Sequence, residues 1–509
     1  MNKMGLHILL IFGHPRKDSY CAALADQYIR GAQDAQVQIR RLDLIDLDFE
    51  PQVLVPSPQK QFVEPDLVLA KELILWADHL VFVFPTWWGN VPALVKGFLD
   101  RCFVPGFAFR EIQFDHYEKM LSPRTAQIIT TMDTPVLVDQ LFNGSPLKKS
   151  LINATLKFCG ISPVRMFKAS PIKHSSPEQK EEWLTEAYAL GKSLNKGVLS
   201  PWDNLKNQIN PWIKAIRLQF YPMTFFAYAI GAFAFIGTTG NLNIPFFLLA
   251  YLLLFLLEVI VVFHNDYEDF ETDRRNQSFS MFSGGSRVLV SGILHKKQLR
   301  NAITILLVFC AILTGLVSWL SPNSFVLNLG LILTFFLLAI SYTANPLKLS
   351  YRGFGEITVG FTHSFATILY AYVLFGGSLT DTFPWLLGIP LFLAIVPAIM
   401  MAGIPDYEAD MAVGKRTLAV QWGKTILARV AAVLVIAAVG SVFLLENLND
   451  FRIEYGWPVY LVLLHGIYLV YLLFKFASKK EKPNRIDGIM AVALSYIMWF
   501  VLLPFFKLM

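Results

Sequence analysis

Nine apolar runs crowd into residues 214–509 of this 509-residue chain, at about 214–236, 243–263, 303–321, 324–344, 357–376, 383–403, 427–445, 457–475 and 487–505. Each is near the ~20 residues that cross a hydrocarbon core. Lipid offers the backbone no hydrogen-bond partner, so each run is expected as a helix. Residues 1–195 have the make-up of an ordinary soluble domain. The mean hydropathy of +0.47 and the 16% charged fraction therefore average two unlike halves. The expected organisation is a soluble domain over 1–195, an interfacial linker over 196–213 and an all-α nine-helix transmembrane bundle over 214–509.

The net charge of +6 matters less than its placement. Basic residues gather in alternate loops: Arg274, Arg275, Arg287, Lys296, Lys297 and Arg300 after the second run; Lys348 and Arg352 after the fourth; Lys415, Arg416, Lys424 and Arg429 after the sixth; and Lys479, Lys480, Lys482 and Arg485 after the eighth. The opposite loops hold few, Arg452 being the exception. By the positive-inside rule the basic side is cytoplasmic. That places the N-terminal domain in the cytoplasm, with the C-terminus outside. The chain is expected as a multi-pass protein of the cell inner membrane. Cys21, Cys102, Cys159 and Cys310 form no CxxC pair and read as thiols of a reducing compartment. Residues 8–12 followed by Gly13-His14-Pro15 read as a strand running into a loop, not as a signal peptide.

Two acidic clusters stand where apolar runs end: NDYEDFETD (265–273) and DYEAD (406–410). On a helix Asp266, Asp269 and Asp273 fall at i, i+3 and i+7, and Asp406 and Asp410 at i and i+4, each set on one face. Bare carboxylates on one face repel. They make sense around a hard cation, and Mg2+ takes one or two carboxylates plus phosphate oxygens. One site that grips a diphosphate through metal accounts for both clusters.

The motifs NDYEDFETD and FSGGSRVL, SYTANPLKLSYRGFGE (341–356) and IPDYEADMAVGKRTLAVQWG (404–423) resemble those of the UbiA superfamily of intramembrane prenyltransferases. The resemblance implies that Asn265, Asp266, Asp269, Asp273, Asp406 and Asp410 hold Mg2+ against the diphosphate of a polyprenyl donor. It also implies diphosphate contacts from Arg287, Tyr342, Lys348, Lys415 and Arg217. Metal and basic residues would stabilise the departing diphosphate while an electron-rich ring attacks the allylic cation.

The first half alternates strand and helix. Residues 6–12, 37–43, 79–85 and 126–131 read as strands and 19–32 as a helix, which points to a parallel doubly wound sheet. The loop Gly13–Tyr20 opens a helix whose first amides could take a phosphate. The second loop, PTWWGNVPALVKGFLDR (85–101), could present backbone and flat rings to an isoalloxazine or form a buried aromatic cluster. GHPRKDSYCAAL, FPTWWGNVPALVKGFLDRCFVPGFAF and LKFCGISPVRMF (156–167) resemble the flavodoxin-like NAD(P)H:quinone oxidoreductases. The resemblance implies FAD or FMN with NAD(P)H as reductant. His14, Ser19, Tyr20 and Cys21 would line the flavin phosphate, and Pro85, Thr86, Trp87 and Trp88 would touch the ring. The third loop, TTMDTP (130–135), lacks the family's usual glycine pair, which leaves Thr131 and Asp133 as its contacts. His116 and His174 are the histidines open to a catalytic role. A homodimer is a further implication of the resemblance.

The linker KGVLSPWDNLKNQINPWI (196–213) places Trp202 and Trp212 where a headgroup region would suit them. Its shortness would raise the effective concentration of an intermediate shared by both halves. The expected function is bifunctional: quinone reduction by the flavin domain, and prenylation of an aromatic, hydroquinone-type acceptor by the membrane domain. One alternative is a prenyltransferase whose lipid or aromatic acceptor is unrelated to the flavin domain's substrate. Another is a transporter carrying a flavoprotein regulatory domain. No feature points to nucleic acid.

Overall fold

The computed structural model describes residues 5–113, 116–240, 242–280 and 282–509, without the side chains of Gln113, His116 and Thr239. The chain divides into two compact units, Met1–Asn207 and Gln208–Met509.

The first unit is an α/β domain. Among the described residues seven strands run in chain order: β1 His7–Phe12, β2 Gln38–Asp43, β3 His79–Pro85, β4 Phe109–Gln113, β5 His116–Lys119, β6 Thr125–Thr131 and β7 Val164–Ala169. Five of them form one parallel sheet in the order β2-β1-β3-β6-β7. The four strands expected from sequence are all present. The antiparallel pair β4–β5 was not expected and stands outside the sheet. β3 and β6 are buried along their whole length, as central strands covered on both faces must be. The edge strands β2 and β7 are only partly buried. The strand order reverses direction between β1 and β3, and a crevice opens at the carboxyl ends of strands at such a point.

The helix expected over 19–32 runs Tyr20–Asp34, with Ser19 accepting from the Ala22 amide as N-cap. It packs on the helix Pro177–Lys192. A Cβ on Gly31 would lie 2.1 Å from the Tyr188 carbonyl, and one on Gly191 would lie 2.1 Å from the Tyr28 carbonyl. The two backbones thus touch where only glycine fits.

The second unit is all helical. Among the described residues eight helices are long and apolar enough to cross a membrane, from Leu218–Thr238 to Asp487–Leu508. This makes the unit an integral membrane domain. The fourth expected run, 324–344, forms Phe325–Ile340, which at 16 residues is shorter. At 1.5 Å per residue it extends ~24 Å, short of a ~30 Å hydrocarbon core. Three local departures shape the bundle. The span Gly355–Leu374 contains a π-helical turn at Thr362–Ala366. Leu418–Leu445 kinks at Gly423, where φ is +72°. The helix Pro201–Ile216 occupies most of the expected linker and ends at Arg217, whose φ of +61° is left-handed.

Candidate active sites

The span Ile244–Glu268 ends one residue before Asp269, and a short helix, Phe270–Arg275, follows at once. Hydrogen bonding runs through the break: Asp269 N donates to Asn265 O and Asp273 N to Asp269 O, both at 2.8 Å. Asp266, Asp269 and Asp273 thereby keep nearly helical spacing. Asp406 caps a second short helix, Tyr407–Ala412, which carries Asp410. All five carboxylates line one cavity of about 520 Å³, together with Asn265, Tyr342, Arg217 and Lys415. Apolar side chains, among them Met223, Ile399, Leu494 and Met498, line most of the rest of it.

Three of the acids and Asn265 have donors of their own. Asp266 accepts from the Ser286 hydroxyl and, at 3.2 Å, from the Ser286 amide. Asp269 accepts from the Tyr351 hydroxyl at 2.9 Å and from Lys415 Nζ at 3.2 Å. Asp406 accepts from the Asn276 amide group. Asn265 Oδ1 accepts from the Thr343 hydroxyl at 2.6 Å. Gly285 closes against two acids: a Cβ there would lie 2.1 Å from Asp273 Oδ2 and 3.1 Å from Asp266 Oδ1, and its φ is +68°. Burial pushes Asp273 up to about 8, helped by the charges of Asp266, Asp269 and Asp406. Burial likewise raises Asp406 to about 6 and Asp410 to about 7, against the opposing pull of Lys415. Burial disfavours the Lys415 ammonium, but Asp269 and Asp410 outweigh it and hold the group well above its usual range.

Among the described residues, no three His, Cys, Asp or Glu side chains are already gathered to hold a metal. The carboxylates converge on one cavity, with Asp266, Asp269 and Asp406 bound to separate donors. The donor set still fits a hard divalent cation. It is all oxygen, and Asp410 Oδ1 is buried without a hydrogen-bond partner, 3.7 Å from Lys415 Nζ. A buried unpaired carboxylate oxygen is costly, and a cation would relieve it.

Two expected diphosphate contacts, Arg287 and Lys348, are not among the residues lining the cavity. Arg287 donates to the carbonyls of Asp273 and Asn276, and its guanidinium lies 3.9 Å from the Phe279 ring centroid, so it ties the loop behind Asp273. Lys348 lies 3.8 Å from Glu268 Oε2 and packs over Tyr351. Sequence reasoning missed Gly285, Ser286 and Tyr351, though all three lie inside quoted motifs. It also missed Glu258 and His363, which line the same cavity deeper in the spans. Their signal was plain: ionisable residues within apolar runs.

In the soluble unit the loops after β1, β3 and β6 meet at the carboxyl edge of the sheet. His14 is buried, its Nδ1 accepts from the Arg16 amide at 2.9 Å, and burial lowers its pKa. Ser19 is committed to its cap. The Tyr20 hydroxyl donates to Lys180 O at 2.5 Å, and the Cys21 thiol lies 3.4 Å from Thr131 Oγ1. Neither side chain is therefore free for a phosphate; what this helix start offers is its first-turn amides, which have no partner within the helix. The Thr86 hydroxyl pairs with Thr130 at 2.8 Å, and Trp87 and Asn90 exchange backbone hydrogen bonds across a tight turn that starts just after Pro85. Trp87 is half exposed, Trp88 fully exposed at a φ of +51°. The buried-cluster alternative for these rings is excluded. Asp133 accepts from the Lys173 amide at 3.0 Å. His174 is exposed, and the His116 side chain lies outside the described residues. Exposed flat rings and a helix start at the strand switch point fit a flavin.

Two family models match this chain. One describes a flavodoxin-like fold and covers residues 6–190. The other, the UbiA prenyltransferase family, covers residues 224–502. An uncharacterized NAD(P)H oxidoreductase of Escherichia coli, YcaK, is 35% identical over 108 residues, 20% of this chain and 55% of that protein. An uncharacterized NAD(P)H oxidoreductase of Haemophilus influenzae is 28% identical over 160 residues, 31% of this chain and 79% of that protein. A solved UbiA homologue from Archaeoglobus fulgidus, bound to GPP and Mg2+, covers 58% of this chain and 99% of its own at 15% identity, with a TM-score of 0.43.

Proposed function

Because this chain belongs to the UbiA prenyltransferase family and carries a flavodoxin-like NAD(P)H oxidoreductase domain ahead of it, we propose that it is a bifunctional enzyme of prenylquinone metabolism. The soluble domain reduces a quinone with NAD(P)H. The membrane domain transfers a polyprenyl group from its diphosphate to the hydroquinone-type ring. The single observation that carries the membrane half is the meeting of both acidic clusters, Arg217 and Lys415 at one end of a cavity whose remaining wall is largely apolar. Such a cavity suits a ligand that is anionic at one end and greasy along its length.

Asp266, Asp269, Asp273, Asp406 and Asp410, with Asn265, would hold Mg2+, which supplies Lewis-acid stabilisation of the leaving diphosphate. Lys415 and Arg217 place fixed positive charge where the departing group gains negative charge, and Lys415 stays protonated there because Asp269 and Asp410 flank it. Apolar walls keep water from the electrophilic carbon. In the soluble domain the helix-20–34 amides, Trp87 and Trp88 would bind a flavin, FAD or FMN, which relays reducing equivalents from NAD(P)H to the quinone. The order of steps follows from electronics: a quinone ring is electron-poor and does not attack an allylic cation, whereas a hydroquinone ring does. The one-sided basic loops support a cytoplasmic N-terminal domain in an inner membrane.

The test supplies the full-length protein in membranes with labelled farnesyl or geranylgeranyl diphosphate, Mg2+ and menadione, without oxygen, with or without NADPH. Prenylated product only with NADPH is expected. Equal product in both arms breaks the coupling. Menadione that is reduced but never prenylated, while another aromatic acceptor is, assigns the two domains separate substrates.

A further inference from the structure

Glu258 lies on the span Ile244–Glu268, eight residues before Asp266, which is ~12 Å deeper along the helix at 1.5 Å per residue. An ionisable group at that depth is costly unless it is partnered or functional. Its Oε1 lies 3.4 Å from His363 Nε2 and accepts from the Thr224 hydroxyl at 3.1 Å. Its Oε2 is buried with no hydrogen-bond partner among the described residues. Both Glu258 and His363 line the large cavity, and both also line a smaller apolar cavity walled by Leu254, Phe335, Phe336 and Tyr370. The pair is thus a wall common to two spaces.

His363 sits in the π-helical turn Thr362–Ala366. Such turns re-aim a side chain and recur at functional sites. Thr362 gives its hydroxyl proton to Thr358 O at 2.9 Å, and His363 Nδ1 faces the Val359 carbonyl at 3.1 Å. A carbonyl only accepts, so these partners make Nδ1 the donor. Nε2 then faces Glu258 Oε1. Neither residue has a part in gripping the diphosphate.

From this juxtaposition we infer that Glu258, held in place by His363 and Thr224, is the base that takes the hydroxyl proton of the aromatic acceptor. The inference rests on the aromatic-acceptor reading above. The ~12 Å between Asp266 and Glu258 has room for a diphosphate, an attack contact of ~3–3.5 Å and the width of one ring. In the step, a ring carbon bonds to the allylic carbon as the allylic C–O bond breaks, its electron pair going to the diphosphate. The acceptor's O–H proton passes to Glu258 Oε2, which leaves a dienone. On rearomatisation Glu258 returns that proton to the oxygen, and the ring C–H proton departs with the diphosphate. One proton is released per transfer. His363 is a positioning residue: it anchors Oε1 so that Oε2 faces the acceptor.

The test uses the full-length chain in membranes, farnesyl diphosphate, Mg2+ and a series of hydroquinones supplied already reduced and differing in hydroxyl acidity. E258Q is expected to lower kcat ~100-fold or more, and E258D to recover part of it. Mg2+-dependent binding of a non-ionisable farnesyl thiolodiphosphate is expected to stay within about threefold of wild type. The loss should shrink as the acceptor hydroxyl becomes more acidic, which a merely structural role would not produce. H363N should fall less and follow the same trend. Transfer by E258Q within about twofold of wild type, a loss independent of acidity, or a loss that tracks lost analogue binding would each overturn the assignment while leaving the prenyltransferase reading intact. A wild-type protein that binds the analogue but prenylates no hydroquinone would overturn the acceptor reading, and this inference with it.

Discussion

The candidate site of the membrane unit is made of buried charge, and that of the soluble unit of backbone turns and exposed rings. Asp266, Asp273, Asp410 and Lys415 are each less than a tenth exposed, whereas Trp87 is 47% exposed and Trp88 wholly so. Buried carboxylates persist only where specific donors or a cation hold them, so each depends on a few partners. A turn that offers amides and ring faces depends on backbone shape and tolerates side-chain change better. The difference teaches that one half should fail sharply and selectively, and the other gradually.

Chelation of divalent metal, or D266N, should give the largest separation. Prenyl transfer from a supplied hydroquinone is expected to fall ~10²–10³-fold or more, with NAD(P)H oxidation unchanged. Loss of both activities would break the contrast. Next comes G285A: its Cβ would lie 2.1 Å from Asp273 Oδ2 at a φ of +68°, so the loop must shift. Transfer should drop ~10–100-fold, through an interaction that costs about 1–3 kcal/mol, and higher Mg2+ should restore only part of it.

A third test sits in the soluble unit. His79 is buried on β3, and burial, with Arg165, lowers its pKa to about 3. The native imidazole stays neutral, while the unfolded one takes a proton near pH 6.5. The folded state therefore binds fewer protons between those values, and its stability, fully present above pH 6.5, is lost as pH falls toward 3. The expected loss is about 1.4 kcal/mol by pH 5.5 and similar for the next unit. Hydrogen exchange of the sheet amides would read it, and H79N should flatten the profile. The smallest effect is W87A: flavin affinity should weaken by about fivefold, the worth of one ring contact, measured by flavin fluorescence, while transfer from supplied hydroquinone stays unchanged.

How legible each site was follows the same division. The acids were readable because a carboxylate at the end of an apolar run has few reasons to be there. Arg287 and Lys348 were harder to read because a basic loop residue carries two signals at once, topology and ligand binding; the fold turns both toward protein groups, Asp273 O and Glu268. At Tyr20 and Cys21 the side chains pack elsewhere, because a helix start binds through its amides and leaves them free to do so. Trp87 and Trp88 left two readings open because aromatic residues suit a core and a ligand equally, and only exposure separates them.

By itself the sequence determined the membrane half, the parallel sheet and the end of the bundle where the acids gather. Those follow from the period and length of apolar runs, which act locally and need no knowledge of neighbours. The tertiary structure alone decided which donor holds each acid, that Gly285 must lack a side chain, and that Glu258 meets His363 across two spans. Such contacts join residues far apart in the chain. They are set by how helices pack, where a shift of one turn would change every partner.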